Sequence, residues 1–308
     1  MNSDDNLPFI PYGGVPYQAG NNLQIVRYEQ GNPIAFKQSL SDFNINPNID
    51  FLISEHGSSL LDILSAESLL TMGTDNTPQL KAIYTGNPQA DATRIMGSLS
   101  EAIVVQACNN NQEINRELGK IARGANRVND VLDNYVAIST GSQQTKMHYN
   151  QFYNPSDTQR DLIWVDKNNT QLQLNSIIPN AAPTSVKPAG LQIKTSHDHQ
   201  YVMSNIKQYH YPILFFDLSN DWYHASLKSM HINYESGTYV EKVRLIPHND
   251  ITLHLKEIIK SYFNIIKQLV TGEISIQHII DLARWKGDKI LGGALQSSTP
   301  DSGSIIIT

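Results

Sequence analysis

The sequence predicts an α/β chain centred on a mixed β-sheet, set between an irregular N-terminal lobe and a helical C-terminal end. Three observations predict it. Apolar residues recur at three- and four-residue steps over 92–122 and again over 252–270, the period of amphipathic helices. Between these stretches lie short apolar runs at 134–139, 161–165, 191–195 and 212–218, each of strand length. The resulting order is helix, three strands, short helix, strand and helical end, in which strands and helices share one core.

Each element has its own signal. Residues 1–50 are rich in Asn, Gly, Pro and Tyr, with turn signals at Gly13-Gly14 and Asn32-Pro33, and read as an arm with a short hairpin around 23–36. Over 51–72, Leu52, Ile53, Leu60, Leu61, Ile63, Leu64, Leu69 and Leu70 suit one or two helices, followed by a Gly/Asn/Pro break near 74–88. In the next helical stretch Ile95, Leu99, Ala102, Ile103 and Ala107 share a face, Ser98 or Ser100 is a candidate cap, and Asn109-Asn110-Asn111 marks an interruption.

After the strand at 161–165, Asp166-Lys167-Asn168-Asn169 signals a turn back into 171–174. Pro179, Pro183 and Pro188 make 175–189 a loop or insertion. The strand at 191–195 is followed by a short polar helix near 200–208 and the apolar strand 212–218. Residues 227–234 and 238–245 alternate as a hairpin about Glu235-Ser236-Gly237, and helices follow at 252–270 and 275–285. The Gly/Ser-rich tail from Gly292 ends Ile-Ile-Ile-Thr. The divisions read from this are an N-terminal arm or lobe at 1–91, a core at 92–250, and C-terminal helices with a tail at 251–308.

Bulk properties narrow the function classes. With 308 residues the chain is long enough to bury a full core. A formal net charge of −6 gives no global attraction to phosphate, which argues against a non-specific nucleic-acid coating protein. It leaves open a cleft in which cations and local lysines offset the charge. The single cysteine, Cys108, excludes an internal disulfide and reads as a small core residue. No apolar run has the length of a bilayer span and the start lacks the pattern of a secretory signal, so a cytoplasmic location is expected. There is no phosphate-cradling Gly-rich Lys-Ser/Thr loop, no Gly-x-Ser-x-Gly elbow, no Cys-based zinc spacing and no basic recognition helix.

One constellation points to chemistry. Asp161 heads an apolar strand, and in Leu191-Gln192-Ile193-Lys194-Thr195 the side chains of Gln192 and Lys194 share a face while Ile193 points to the other. Metal-dependent hydrolysis of a phosphodiester needs hard oxygen ligands and a group that orients the attacking water. Asp161, the Gln192 amide oxygen and the Ile193 carbonyl supply such oxygens, Glu101 from the preceding helix adds a carboxylate, and Lys194 suits the water and the growing phosphate charge. Each residue also has a plain reading: Gln192 and Lys194 as a solvated strand face, Asp161 as a strand-start residue, Glu101 as a helix-surface acid. The same Gln-x-Lys spacing occurs at Gln79-Leu80-Lys81 and Gln144-Thr145-Lys146, so the strand context carries the argument.

With Glu101 in Gly97-Ser-Leu-Ser-Glu101, Asp161 in Arg160-Asp161-Leu-Ile-Trp-Val and the Gln192-Ile193-Lys194 strand, the chain resembles the PD-(D/E)xK nuclease superfamily in its Gln-x-Lys form, over roughly residues 95–220. The resemblance implies a restriction-endonuclease-like core and a Mg²⁺-dependent endodeoxyribonuclease, with Mn²⁺ as a substitute, of restriction or anti-phage defence type. It implies double-stranded DNA as partner, no membrane, an expected homodimer because two strands must be cut, and a methylase or other defence-system protein as a candidate companion. Two other readings stay open: an RNA- or structure-directed toxin or repair nuclease of the same fold, and a non-catalytic, phage-associated binding or assembly protein.

The remaining polar residues have lesser roles. In His197-Asp198-His199, Asp198 reads as a helix cap, with metal or phosphate contact by the histidines as the functional option. Asp166 reads as a turn residue, and Asp217 ends an apolar strand with the cleft within reach. Trp222, Tyr223 and His224 read as packing at a strand end, with base stacking as the alternative.

Overall fold

The structure, a computed structural model, describes residues 22–29, 32–39, 49–174, 188–203, 211–219, 222, 224–226, 245–291 and 304–307. It is mixed α/β with small sheets and divides into two compact units, Met1–Leu61 with Ile274–Thr308, and Asp62–Glu273.

β1 (Asn22–Glu29) and β2 (Asn32–Ser39) form an antiparallel hairpin with Asn22 opposite Ser39 and Glu29 opposite Asn32, in the region whose turn signals predict one. α1 (Ile49–Ala66) carries the apolar pattern read over 51–72 but stops sooner than that pattern. Ser68 takes a φ of 56°, and the chain turns into a short antiparallel ladder of β3 (Leu70–Met72) and β4 (Pro78–Leu80).

α2 (Pro88–Asn110) starts ahead of the expected position. The Asn87 side chain accepts from the Ala90 N–H and Pro88 fills the first turn, where its missing N–H is not needed. Ser98 and Ser100, candidate caps by sequence, therefore lie inside the helix, and Glu101 lies in its second half rather than at its beginning. Asn111 is the expected interruption. Its N–H closes α2 on the Ala107 carbonyl, while its side chain accepts from Glu113 and Ile114 to open α3 (Gln112–Ala122).

β5 (Tyr135–Ser139) and β6 (Leu162–Asp166) pair antiparallel, Ser139 opposite Leu162, with the short helix α4 (Gln143–His148) between them in sequence. β7 (Gln192–Ser196) joins β6 through the antiparallel bridge Leu162–Leu191, closed by Leu162 N–H to Leu191 carbonyl at 3.0 Å and the reverse bond at 2.9 Å. β8 (Ile213–Asp217) then runs parallel to β7, Gln192 opposite Ile213. Between β7 and β8 the helix α5 (Gln200–Met203) covers the start of the stretch read over 200–208, whose last residues lie outside the described ones. Leu162 to Val165 and all of β8 are buried, the mark of strands covered on both faces.

The turn after β6 is as read: Asp166 accepts from the Asn168 and Thr170 N–H groups, and Asn169 takes a φ of 60°. Residues 175–187 lie outside the described residues. Their described ends meet, because Gln173 bridges Pro188 and the Ala189 N–H donates to Leu172. Except for Leu245, the predicted hairpin at 227–245 also lies outside the described residues.

α6 (Asp250–Thr271) opens on a capping box between Asn249 and Thr252 and closes at Gly272, whose φ of 75° suits the helix end. It packs on α2, which also lies across β5 and β7. In the other unit, α7 (Ile276–Leu291) meets the first part of α1 at Gly57, where an added Cβ would stand 3.0 Å from Ile53 and 3.1 Å from Ile279. The terminal isoleucines, read as tail, form β9 (Ser304–Ile307), antiparallel to β1. Among the described residues no helix is long and apolar enough to cross a membrane.

Candidate functional site

Asp161 stands at the mouth of β6, held by its own backbone: its N–H donates to Leu191 and its carbonyl accepts from Thr140. Gly190 makes this approach possible. A Cβ there would lie 2.8 Å from the Leu162 carbonyl and 2.7 Å from the Arg160 side chain, so only glycine lets the start of β7 come in beside Asp161. The alternation of β7 does the rest. Gln192 and Lys194 reach the same side, and both find the Asp161 carboxylate.

Three donors converge on one oxygen. Asp161 Oδ2 accepts from the Gln192 amide Nε2, from the Ile193 N–H at 2.7 Å and from Lys194 Nζ at 3.4 Å. A carboxylate oxygen can only accept, so the Gln192 amide must turn its nitrogen to Asp161. Its oxygen, Oε1, is left buried without a hydrogen-bond partner, in a residue only 2% exposed. An orphaned buried acceptor is uncommon and calls for a cation or a donor.

Glu101 reaches the group from α2, with Ser139 Oγ on β5 donating to its Oε2 at 2.6 Å. Burial, and next the charge of Asp161, push the Glu101 carboxyl up to about 8, against the opposing pull of Ser139 and Lys194. Burial also raises Asp161, despite Lys194 and the Ile193 N–H. Two acids therefore share a poorly solvated place under the influence of Lys194, and Glu101 keeps its proton up to about 8. All four side chains singled out by sequence, Glu101, Asp161, Gln192 and Lys194, come together, as does the Ile193 backbone.

Among the described residues no three His, Cys, Asp or Glu side chains gather to hold a metal ion. A cation at this place would depend on two carboxylates and on neutral oxygens, and the orphaned Gln192 Oε1 fits that need. Its oxygen donors are hard, the kind Mg²⁺ takes.

The supporting contacts have no signal of their own in the sequence. Ser100 Oγ accepts from Thr195 Oγ1 at 2.7 Å, tying the residue before Glu101 to the residue after Lys194. Ser139 is one strand residue among many serines until the fold sets it against Glu101. Beside Glu101 and Lys194 opens a cleft of about 790 Å³ between α2 and the turn that follows β7.

The other candidate acids are structural. Asp166 serves its turn. Asp217 does not line the cleft: it is fully buried, paired with Lys256 Nζ at 3.2 Å, and accepts the Ser219 and Trp222 N–H groups. Asp198 accepts from the Gln200 N–H at the start of α5, as a cap should. His197 packs edge-on to Phe263 and contacts Ser219 Oγ at 3.0 Å. Trp222 stacks on His248 at 4.0 Å against the apolar cluster around Phe215, and His224 stands 6.2 Å from His199. Tyr223 lies outside the described residues. Cys108 is buried.

Comparison with family models, with characterised proteins and with solved structures finds no match to this chain.

Proposed function

We propose that this chain is a divalent-cation-dependent endodeoxyribonuclease of restriction or anti-phage defence type, with a restriction-endonuclease-like core. The observation that carries the reading is the meeting of an acid, an amide and a lysine at Asp161 Oδ2, with Glu101 close enough for the Asp161 charge to raise it. The strand order supports it: an antiparallel run through β5, β6 and β7, then a parallel β8, with the glutamate on the helix that crosses the sheet.

Asp161, Glu101, Gln192 Oε1 and the Ile193 carbonyl are the groups that would hold Mg²⁺ or Mn²⁺. Such an ion supplies Lewis-acid polarisation of a phosphoryl oxygen and lowers the pKa of water. Lys194 has a separate task. Held beside Asp161, its ammonium is placed to hold the attacking water and to offset charge that builds on the phosphate. Asp161 thereby orients Lys194 as well as offering a ligand oxygen. Ser139 fixes the Glu101 rotamer through its hydroxyl.

The test is cleavage of plasmid and phage DNA in Mg²⁺ and in Mn²⁺, with Lys194→Ala and Asp161→Ala as controls. Cleavage by the wild-type chain that both variants lose is the expected result. Cleavage that survives in either variant removes these residues from the chemistry. No cleavage of DNA or RNA with either ion leaves the binding-protein reading in its place.

A further inference from the structure

The cleft beside Glu101 contains a glycine that the helix does not need. Gly97 lies well inside α2, where glycine is among the least favourable residues for a helix. Helix glycines are commonly retained because a neighbour leaves no room for a Cβ. Here the reverse holds: a Cβ at Gly97 would meet nothing within 4 Å. It faces the open cleft, one turn before Glu101. The space belongs to whatever enters from outside.

The same wall runs back along α2 through Thr93 and Arg94 to Ala90, residues spaced to share one side of the helix. From Ala90 to Glu101 this wall is roughly 17 Å long at the rise of an α-helix. Across the cleft stands Tyr201, 58% exposed at the start of α5. A large exposed aromatic side chain at the mouth of a polar cleft is a surface on which a base can stack.

Size and charge select among nucleic acids. A cleft of about 790 Å³ lies in the range that encloses small ligands, roughly 300–1,000 Å³. It takes a short run of one strand rather than a paired helix. Its lining sets Arg94 and Lys194 against Glu101 and Asp198, so the wall is balanced in charge rather than basic. Binding there would draw on stacking and close backbone approach more than on phosphate neutralisation.

We propose that the cleft between Gly97 and Tyr201 holds an unpaired strand of DNA, with its backbone against Gly97 and a base on Tyr201, and feeds that strand to Glu101, Asp161 and Lys194. The assignment rests on the nuclease reading and narrows its substrate to DNA that is single-stranded, or opened, at the cut.

The experiment reads binding apart from turnover. Fluorescence anisotropy in EDTA compares a labelled single-stranded oligodeoxynucleotide with a duplex of the same sequence, for the full chain and for Gly97→Leu, Tyr201→Ala and Tyr201→Phe. The single strand binds at least about tenfold tighter than the duplex. Gly97→Leu and Tyr201→Ala each weaken it about tenfold, while Tyr201→Phe retains stacking and affinity. With two cations in the lining, the slope of log K against log salt stays near about −1.4, at about −0.7 per phosphate contact. Gly97→Leu should keep the wild-type melting temperature or raise it, since leucine favours the helix and a Cβ at this position meets nothing within 4 Å.

Equal affinity for duplex, unchanged binding in Gly97→Leu, or tighter binding of single-stranded RNA overturns the proposal. The two readings separate cleanly. Plasmid cleavage that needs Lys194 but ignores Gly97 refutes the groove and leaves the nuclease. Strand binding lost in Gly97→Leu, without cleavage in any ion, supports the groove and removes the nuclease.

Discussion

Glu101 makes the pH dependence of stability a direct test of the site. Its carboxyl is pushed from an ordinary 4.5 up to about 8, first by burial and then by Asp161. Between those values the folded chain keeps a proton that the unfolded chain has released. Folded protein binds more protons than unfolded, so stability falls as pH rises through this window and levels off above about 8. At 1.36 kcal/mol per unit, an interval of about 3.5 units sets an upper bound of about 5 kcal/mol on that loss. Glu101→Gln removes the titration yet preserves an acceptor for Ser139 Oγ. Urea unfolding at intervals from pH 5 to 8.5, in EDTA, gives the difference between wild type and variant. Near pH 5 the two should nearly coincide, because protonated glutamate and glutamine are close in shape and charge. Near pH 8.5 the variant should be more stable by up to about 5 kcal/mol. Parallel curves for the two proteins would show that Glu101 is not held in this environment, and the site geometry would go with it. Adding Mg²⁺ to the wild type should recover stability most where pH is highest, since the carboxylate is then fully charged.

Other perturbations probe the frame that holds the site. Lys256→Met removes the ammonium paired with the fully buried Asp217 and should destabilise by about 3 kcal/mol, read as a lower urea midpoint; an unchanged midpoint refutes the buried pair. Asn115→Ala removes the acceptor of Trp164 Nε1 and the donor to the Leu132 and Tyr135 carbonyls, at about 3 kcal/mol, with a shift in tryptophan fluorescence as its signature. Cys108, buried and with its thiol raised above the usual range, should resist maleimide in the native protein and react as urea unfolds it, a difference read by mass spectrometry; rapid native labelling contradicts its burial.

What was legible in the sequence was local and periodic. The apolar run behind Asp161 reads as a buried strand because all four residues of Leu162-Ile-Trp-Val are apolar, and β6 buries all four. The alternation of Gln192, Ile193 and Lys194 placed two polar side chains together, and both reach Asp161. Asn111 was readable because an amide side chain can both end one helix and begin the next. The start of α2 had an equally local signal in Asn87-Pro88, but Ser98 and Ser100 offered rival caps within an uninterrupted helical period. What was not legible depended on distant pairing. Nothing near Ser304 says that the closing isoleucines pair with β1, nearly three hundred residues earlier. Likewise, Ser139 acquires its role only when β5 comes to lie beside α2.

The neutral Gln192 follows from the electrostatics of the folded site. A carboxylate at this position would be a third acid beside Glu101 and Asp161, where burial and then the Asp161 charge already push Glu101 up to about 8. It would also lack the N–H that now donates to Asp161 Oδ2, replacing attraction with repulsion at a residue 2% exposed. Glutamine instead stabilises the ion-free fold through its nitrogen and keeps an oxygen unengaged. The orphaned Oε1 is the counterpart of that arrangement: the amide satisfies Asp161 with one end and holds the other in reserve. Binding a cation would then ask for no rearrangement of charge at position 192, only for the loss of the proton that Glu101 retains. On the proposed reading, ion affinity would rest on Asp161 and Glu101 and would develop as rising pH removes the proton from Glu101.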